Sequence, residues 1–181
     1  GNDNIFIGAY TGRHITYASQ NTVVGHNAYG RLGGSGQHEI SGSDITAFGY
    51  AAGQYATGSQ NTFVGSEAGK GGTTSAPFSS GQNNTAVGYQ ALDAFTTGYE
   101  NVAVGSGAGG ALTTGYTSTF VGYLAGASAT TTGNNNYFGY AAGLGTTGGG
   151  NVGIGNHVMK NGSGDAADNT AVGGSSLYAI T

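Results

Sequence analysis

The chain has 181 residues, of which 39 are glycine, one is proline and 7% are charged. Because glycine disfavours helices and Glu, Lys and Arg are scarce, this composition excludes a helical protein. The formal net charge of −4 provides no electrostatic attraction for nucleic acid or an anionic membrane, so neither partner is expected.

The other residue types favour an ordered chain that uses no cysteine chemistry. The 12 tyrosines and 7 phenylalanines are more aromatic residues than disordered chains carry. The absence of cysteine excludes a disulfide framework and thiolate metal sites. The sequence has no long apolar run and no signal-peptide pattern, so no membrane insertion is expected. Since it does not begin with Met, we expect a mature chain or an excised part of a longer one.

Ten variants of the pattern Asn-x-x-Φ-Gly-x-x-Ala-Gly, where Φ is Val, Ile or Phe, follow one another along the chain. Seven of the nine spacings between successive copies are 16 to 18 residues, and the other two, 24 and 23, predict loop insertions near 29–43 and 70–82. The sequence therefore predicts one β-solenoid domain over residues 1–181. The glycine that follows Φ is Gly8, Gly25, Gly49, Gly65, Gly88, Gly105, Gly122, Gly139, Gly155 or Gly173.

Each repeat is interpreted as one rung made of strand, corner, strand and corner. Thr-Thr-Gly triplets, such as Thr96 to Gly98 and Thr113 to Gly115, mark the second corner. About 17 residues at roughly 3.3 Å each are too few for a roomy three-sided coil but fit two short strands folded back on each other. The predicted fold is all-β: a flat parallel β-roll about ten rungs and about 48 Å long.

An asparagine stands four positions before the repeat glycine in eight of the ten rungs. Stacked amides can donate to one neighbouring rung and accept from the other, and Asn tolerates the backbone of a tight corner. The sequence therefore predicts a structural asparagine ladder, interrupted at Ile45 and Ser118. Its members are Asn4, Asn21, Asn61, Asn84, Asn101, Asn135, Asn151 and Asn169.

Both sides of the predicted strand are apolar. The residue directly before the glycine is Val, Ile or Phe in every rung and is predicted to form a continuous buried stripe. Side chains alternate across a strand, so the preceding residue faces the other way. An exposed aromatic row would favour aggregation, and we expect identical chains to cover it, or alternatively the insertions to fold over it. The predicted oligomer face contains Phe6, Phe63, Phe120 and Tyr137.

The repeats resemble a known family. The stretch Asn84-Thr85-Ala86-Val87-Gly88-Tyr89-Gln90-Ala91-Leu92 is similar to the glycine-rich repeat of bacteriophage tail-fibre proteins and of trimeric autotransporter adhesin heads, and Asn4 to Gly8 and Asn61 to Gly65 are variants of it. The resemblance spans nearly the whole chain. It implies a left-handed β-roll, a homotrimer and binding to host or cell-surface molecules. The rungs are longer than the shorter adhesin-head unit, and no heptad stalk, anchoring barrel or chaperone domain is present.

Four tyrosines directly follow a repeat glycine and would form a broken aromatic column at one corner, where they could stack on sugar rings or simply pack on neighbouring rungs. They are the candidate ligand-binding residues Tyr50, Tyr89, Tyr123 and Tyr140. Tyr99 and Tyr116, just after Thr-Thr-Gly, have the same two interpretations at the opposite corner.

No catalytic or metal chemistry is expected. The four histidines lack metal-binding spacing, and the Asp165–Asp168 segment lacks the glycine repeat of calcium-dependent β-rolls. The sequence has no nucleophile elbow, no phosphate-loop lysine and no distinctive carboxylate pair. We therefore predict neither an enzyme nor a cofactor. Thr22, Thr46, Thr62, Thr85, Thr119 and Thr170 form an interrupted array of the kind used in ice binding, but we expect it to be buried beside the apolar stripe.

The leading prediction is an extracellular, structural or adhesive fibre segment that attaches to a glycan or protein on a cell surface, as part of a phage tail fibre or a bacterial adhesin head. The alternative is a self-assembling filament or sheath subunit. The absence of a charged or proline-containing cap at either end favours it, or else indicates that both ends continue into further domains. Ice binding is a minor third hypothesis.

Overall fold

The structure is a computed structural model that describes residues 1–30, 41–72, 79–161 and 166–179. The predicted insertions fall largely on residues 31–40 and 73–78, which lie outside the described residues. Ten parallel strands form one sheet in chain order, and the described parts of the chain contain no helix. None of the described residues therefore belongs to a helix that could cross a membrane. The strands are β1 (Ile5–Ile7), β2 (Thr22–Val24), β3 (Thr46–Phe48), β4 (Thr62–Val64), β5 (Thr85–Val87), β6 (Val102–Val104), β7 (Thr119–Val121), β8 (Asn136–Phe138), β9 (Val152–Ile154) and β10 (Thr170–Val172).

These strands belong to a β-solenoid of about nine turns, as the repeat predicts. Equivalent residues of successive rungs pair directly, for example Thr85 with Val102 and Val87 with Val104. Hydrogen bonds also join the rungs on the return side, where Thr113 N donates to the Thr130 carbonyl at 2.8 Å. Each rung is therefore bonded to its neighbours on both sides of the coil.

The prediction of two strands per rung is wrong, because the return side is made of turns. In rung 5, positive φ angles occur at Gln90, φ 54°, and at Leu92, φ 50°, and the equivalent positions of the other nine rungs are also positive. Alternate left-handed residues cannot form an extended strand. Only the three residues before the repeat glycine remain extended in each rung.

The middle residue of each strand points into the coil and forms what we call the inner row. Its side chains are buried in nine of the ten rungs, and only Phe6, in the first rung, is exposed. The predicted oligomer face is therefore wrong for Phe63, Phe120 and Tyr137, which are 0% exposed. Burial also raises the pKa of Tyr137 to about 12, so its phenol is neutral inside the core. The inner row consists of Phe6, Val23, Ala47, Phe63, Ala86, Ala103, Phe120, Tyr137, Gly153 and Ala171.

In seven of the ten rungs a large inner-row residue is paired with a small residue six positions later, or a small one with a large one. Every aromatic inner residue is followed there by glycine, whereas Ala86, Gly153 and Ala171 are followed by Leu or Met. A Cβ added at Gly126 would collide with the Phe120 ring, and one at Gly143 with the Tyr137 ring. Ala47 and Ala103 are also followed by glycine, and there an aromatic ring of the next rung fills the interior, since a Cβ added at Gly53 would meet Phe63 and one at Gly109 would meet Phe120. The aromatic pairs are Phe6/Gly12, Phe63/Gly69, Phe120/Gly126 and Tyr137/Gly143.

The asparagines stack in a ladder at the corner before each strand. Asn101 Nδ2 donates to Asn84 Oδ1 at 3.0 Å and to the Gly115 carbonyl at 2.9 Å, while Asn101 Oδ1 accepts the Ser118 backbone N–H at 3.1 Å. The same pattern joins Asn151 to Asn169. Each amide thereby satisfies buried backbone groups of the adjacent corner.

We expect Asn101→Ala to destabilise the fold by about 2–4 kcal/mol, because it leaves the buried Gly115 carbonyl and Ser118 N–H without these partners. Asn101→Ser should cost less, since Ser118 already occupies this position in the next rung and accepts from Asn135 N. Thermal unfolding followed by circular dichroism measures both. Equal losses for the two variants would contradict a hydrogen-bonding role for the ladder.

Candidate functional site

The side of the sheet that points away from the coil, which we call the outer face, carries two columns of side chains. The column before the repeat glycine is Val, Ile or Phe in all ten rungs, and none of its members is buried. Ile154 is 44% exposed and Phe138 is 40% exposed. The predicted buried stripe is therefore the exposed one. Its members are Ile7, Val24, Phe48, Val64, Val87, Val104, Val121, Phe138, Ile154 and Val172.

The second column of the outer face holds the predicted threonine array, together with Ile5, Val102, Asn136 and Val152. These side chains are half-buried or exposed, so the expectation that the array is buried is wrong. No charged residue belongs to either column. With strands about 4.8 Å apart, the face is an uncharged strip of roughly 450 Å². Contiguous exposed apolar patches on soluble proteins are often binding sites, and the Val, Ile and Phe column makes up about half of this strip.

The tyrosines Tyr50, Tyr89, Tyr123 and Tyr140 lie at the first corner, directly after the strands, and all four are about half exposed. Tyr123 and Tyr140 stack with ring centroids 5.4 Å apart, and His26 stacks on Tyr50 at 5.7 Å. The structure thus brings them into the broken column that the repeat predicts. Ser66 and Ser106 interrupt the column, so Tyr89 has no aromatic neighbour in the adjacent rungs at this position.

A small polar cluster lies beside the first corner. The Glu67 carboxylate accepts from Lys70 Nζ at 2.8 Å and from Gln90 Nε2 at 2.7 Å. These hydrogen bonds hold the pKa of Glu67 below its ordinary value. The cluster joins two rungs, and its charges neutralise each other.

The second corner carries a groove next to another aromatic pair. Tyr99 and Tyr116 stack with centroids 5.4 Å apart and planes 8° apart. In the two following rungs the tyrosine position is occupied by Gly133 and Gly149, which leaves a groove of about 420 Å³ beside Tyr116. Thr131, Thr132, Asn134, Gly150, Ala167 and Asp168 complete its lining.

In the described part of the chain, no three His, Asp or Glu side chains lie together in a way that could hold a metal ion. His26 and His157 instead pack against tyrosines of neighbouring rungs. The surfaces that the geometry offers for function are therefore the outer face and the two aromatic corners.

Comparisons with known proteins give no information on these surfaces. No family model matches the chain, and neither the curated proteins nor the solved structures contain a match. The resemblance to adhesin heads and tail fibres stays a prediction.

Proposed function

We propose that this chain is a segment of a homo-oligomeric extracellular fibre in which identical chains pack through their outer faces, and that the fibre attaches to a cell surface. The observation that carries the proposal is the continuous Val, Ile and Phe column, which is uncharged and exposed or half-exposed in each of the ten rungs. Water-exposed apolar columns of this length are stabilised by burial against another surface.

A second copy of the same chain is the partner that fits this face. Its columns repeat at the same rung spacing, so parallel copies keep apolar residues opposite each other in every rung. No charge has to be desolvated in such a contact, since neither column contains a charged residue. Three copies around one axis would cover all three faces, in agreement with the trimer that the resemblance implies.

Attachment is the role that the rest of the surface supports. The chain contains only 4 Lys and Arg residues, and its backbone is hydrogen-bonded between rungs on both sides, which should make it resistant to trypsin-like proteases. The tyrosines of both corners lie on the surface, where they are available to a ligand. A rigid, digestion-resistant rod with exposed aromatic corners suits an adhesin or tail fibre.

The test is the mass and shape of the purified chain, by light scattering and negative-stain microscopy on the same sample. A discrete trimeric rod is expected. Filaments that grow end to end would instead favour the architectural subunit, because β1 and β10 are the edge strands of the sheet. A monomer at all concentrations would overturn packing through the outer face.

Ice binding is a second candidate because the structure exposes the threonine column on the face that also carries the apolar column. Regular rows of threonine hydroxyls and methyl groups can order water into a lattice. Phe48 and Phe138 project from the same face, however, and Asn136 interrupts the threonine array. Thermal hysteresis in a freezing-point measurement would support this candidate, and its absence would remove it.

A further inference from the structure

The groove beside Tyr116 combines an aromatic ring with a carboxylate, whereas the other groove at this corner, beside Tyr99, is about 220 Å³ and no charged residue lines it. One face of the Tyr116 ring stacks on Tyr99. The ring also reaches over Gly133, where an added Cβ would lie 2.9 Å from its Cδ2 atom. Tyr116 is nevertheless 39% exposed. Since Gly133 and Gly149 have no side chains, nothing on the next two rungs at this position closes the groove.

The polar groups around this platform have free hydrogen-bonding capacity. Asn134 Oδ1 accepts from the Thr117 hydroxyl at 2.6 Å, which directs its Nδ2 group to other partners. Among the described residues, neither Asn134 Nδ2 nor the Asp168 carboxylate has a hydrogen-bond partner, and both residues are exposed. The Thr132 hydroxyl, in contrast, already donates to the Thr147 carbonyl at 2.8 Å. The groove thus combines one aromatic face, one amide donor and one carboxylate acceptor.

This combination fits a sugar ring. The apolar C–H face of a pyranose packs on a tyrosine ring, and neighbouring hydroxyls donate to a carboxylate and accept from an amide. The groove contains Asp168 and no Lys or Arg, so an acidic sugar would meet repulsion without a compensating cation. A neutral pyranose is the class of ligand that the lining favours.

We propose that the groove formed by Tyr116, Thr131, Asn134 and Asp168 binds a neutral pyranose of a cell-surface glycan. This inference rests on the proposed attachment function and places its contact at the second corner. At the first corner, the polar cluster of Glu67 with Lys70 and Gln90 is internally satisfied and offers fewer free groups to a ligand.

The test is saturation-transfer difference NMR of the full chain with methyl glycosides of glucose, galactose, mannose and N-acetylglucosamine, and with sialyllactose as an anionic probe. We expect signals from at least one neutral glycoside and none from the sialic acid ring. Tyr116→Ala should weaken that binding by roughly tenfold or more, whereas Tyr116→Phe, which keeps the platform, should retain it. Asp168→Asn should also weaken it, through loss of the charged acceptor.

The matched control is Tyr123→Ala, which removes an exposed tyrosine from a stacked pair of the same 5.4 Å spacing at the other corner. It should leave binding unchanged. Loss of binding with Tyr123→Ala but not with Tyr116→Ala would overturn the proposal, as would a wild-type chain that binds none of the glycosides. Light scattering on the same samples separates the two hypotheses: an oligomeric rod without binding contradicts the groove alone, and a binding monomer contradicts the fibre alone.

Discussion

Val104→Asp should convert the oligomer into monomers at concentrations where the unchanged chain is fully assembled. Val104 is at the centre of the apolar column and 36% exposed, so a single chain can keep an aspartate there in contact with water. In an assembly that packs the outer faces together, each carboxylate would lose its water and approach its copies in the other chains. Desolvation and like-charge repulsion should together weaken the free energy of assembly by several kcal/mol per chain. Light scattering measures the change.

The control for this variant is Ser106→Asp, which adds the same charge two residues later, at the first corner of the same rung. It should remain oligomeric. Val104→Lys should dissociate the assembly as Val104→Asp does, which separates burial of charge from the sign of the net charge. Circular dichroism establishes whether the monomers are folded. An oligomer that tolerates both charges at position 104 would show that the outer face lies outside the interface.

The substitutions Ala86→Phe and Leu92→Gly, which exchange a small and a large side chain within one rung, should have strongly non-additive effects on stability. Leu92→Gly should lower the free energy of unfolding by about 3 kcal/mol or more, since Leu92 is 0% exposed and the cavity that it leaves cannot collapse fully. Ala86→Phe should be at least as damaging, because Leu92 already fills the space that the ring needs. The double variant should lie within about 1 kcal/mol of the unchanged chain. Glycine at position 92 also relieves a residue held at φ 50°.

The structure contains a precedent for the double variant. Phe120 and Tyr137 occupy successive inner-row positions, each with glycine six residues later, and their rings stack 5.8 Å apart. The ring introduced by Ala86→Phe would stack on Phe63 in the same way. Melting temperatures of the two single variants and the double variant, at one protein concentration, complete the cycle. Additive losses would contradict the volume matching.

The repeat and the ladder could be predicted because both depend on residues that recur at fixed intervals. Gly105 illustrates this: its φ is +133°, and an added Cβ would lie 2.5 Å from the Gly122 carbonyl oxygen. Such a position admits only glycine, so the pattern is visible in the sequence. Asn101 is similar, since its amide serves neighbouring rungs on both sides.

The side of each strand that faces the core could not be predicted from the alternation of its side chains, because both sides are apolar. The prediction took the constant Val, Ile and Phe column for the core and the variable row, with Phe63 and Tyr137, for the surface. The core is in fact the variable row, and in most rungs its variation is compensated at a second position. A comparison of inner residues with those six positions later, as in Phe120 with Gly126 or Ala86 with Leu92, contains the missing signal.

The second-corner groove was also missed, because it is formed by the absence of side chains. Tyr116 was identified as a candidate for sugar stacking, but Gly133 and Gly149 were not connected with it. Their importance depends on stacking directly after Tyr116 in successive rungs, which requires the rung register. Asp168 was considered only as a calcium ligand, and the sequence did not place it beside Tyr116.

Because each rung bonds only to the rungs beside it, the number of repeats in the sequence sets the length of the rod. From Gly88 to Gly122 one repeat is 17 residues, and the backbone and amide bonds of each rung reach no further than the next. An in-frame duplication or deletion of one repeat would therefore preserve every type of contact and change the reach of the rod by about 4.8 Å. The distance between whatever is attached at its two ends can be adjusted in uniform steps, without redesign of a core.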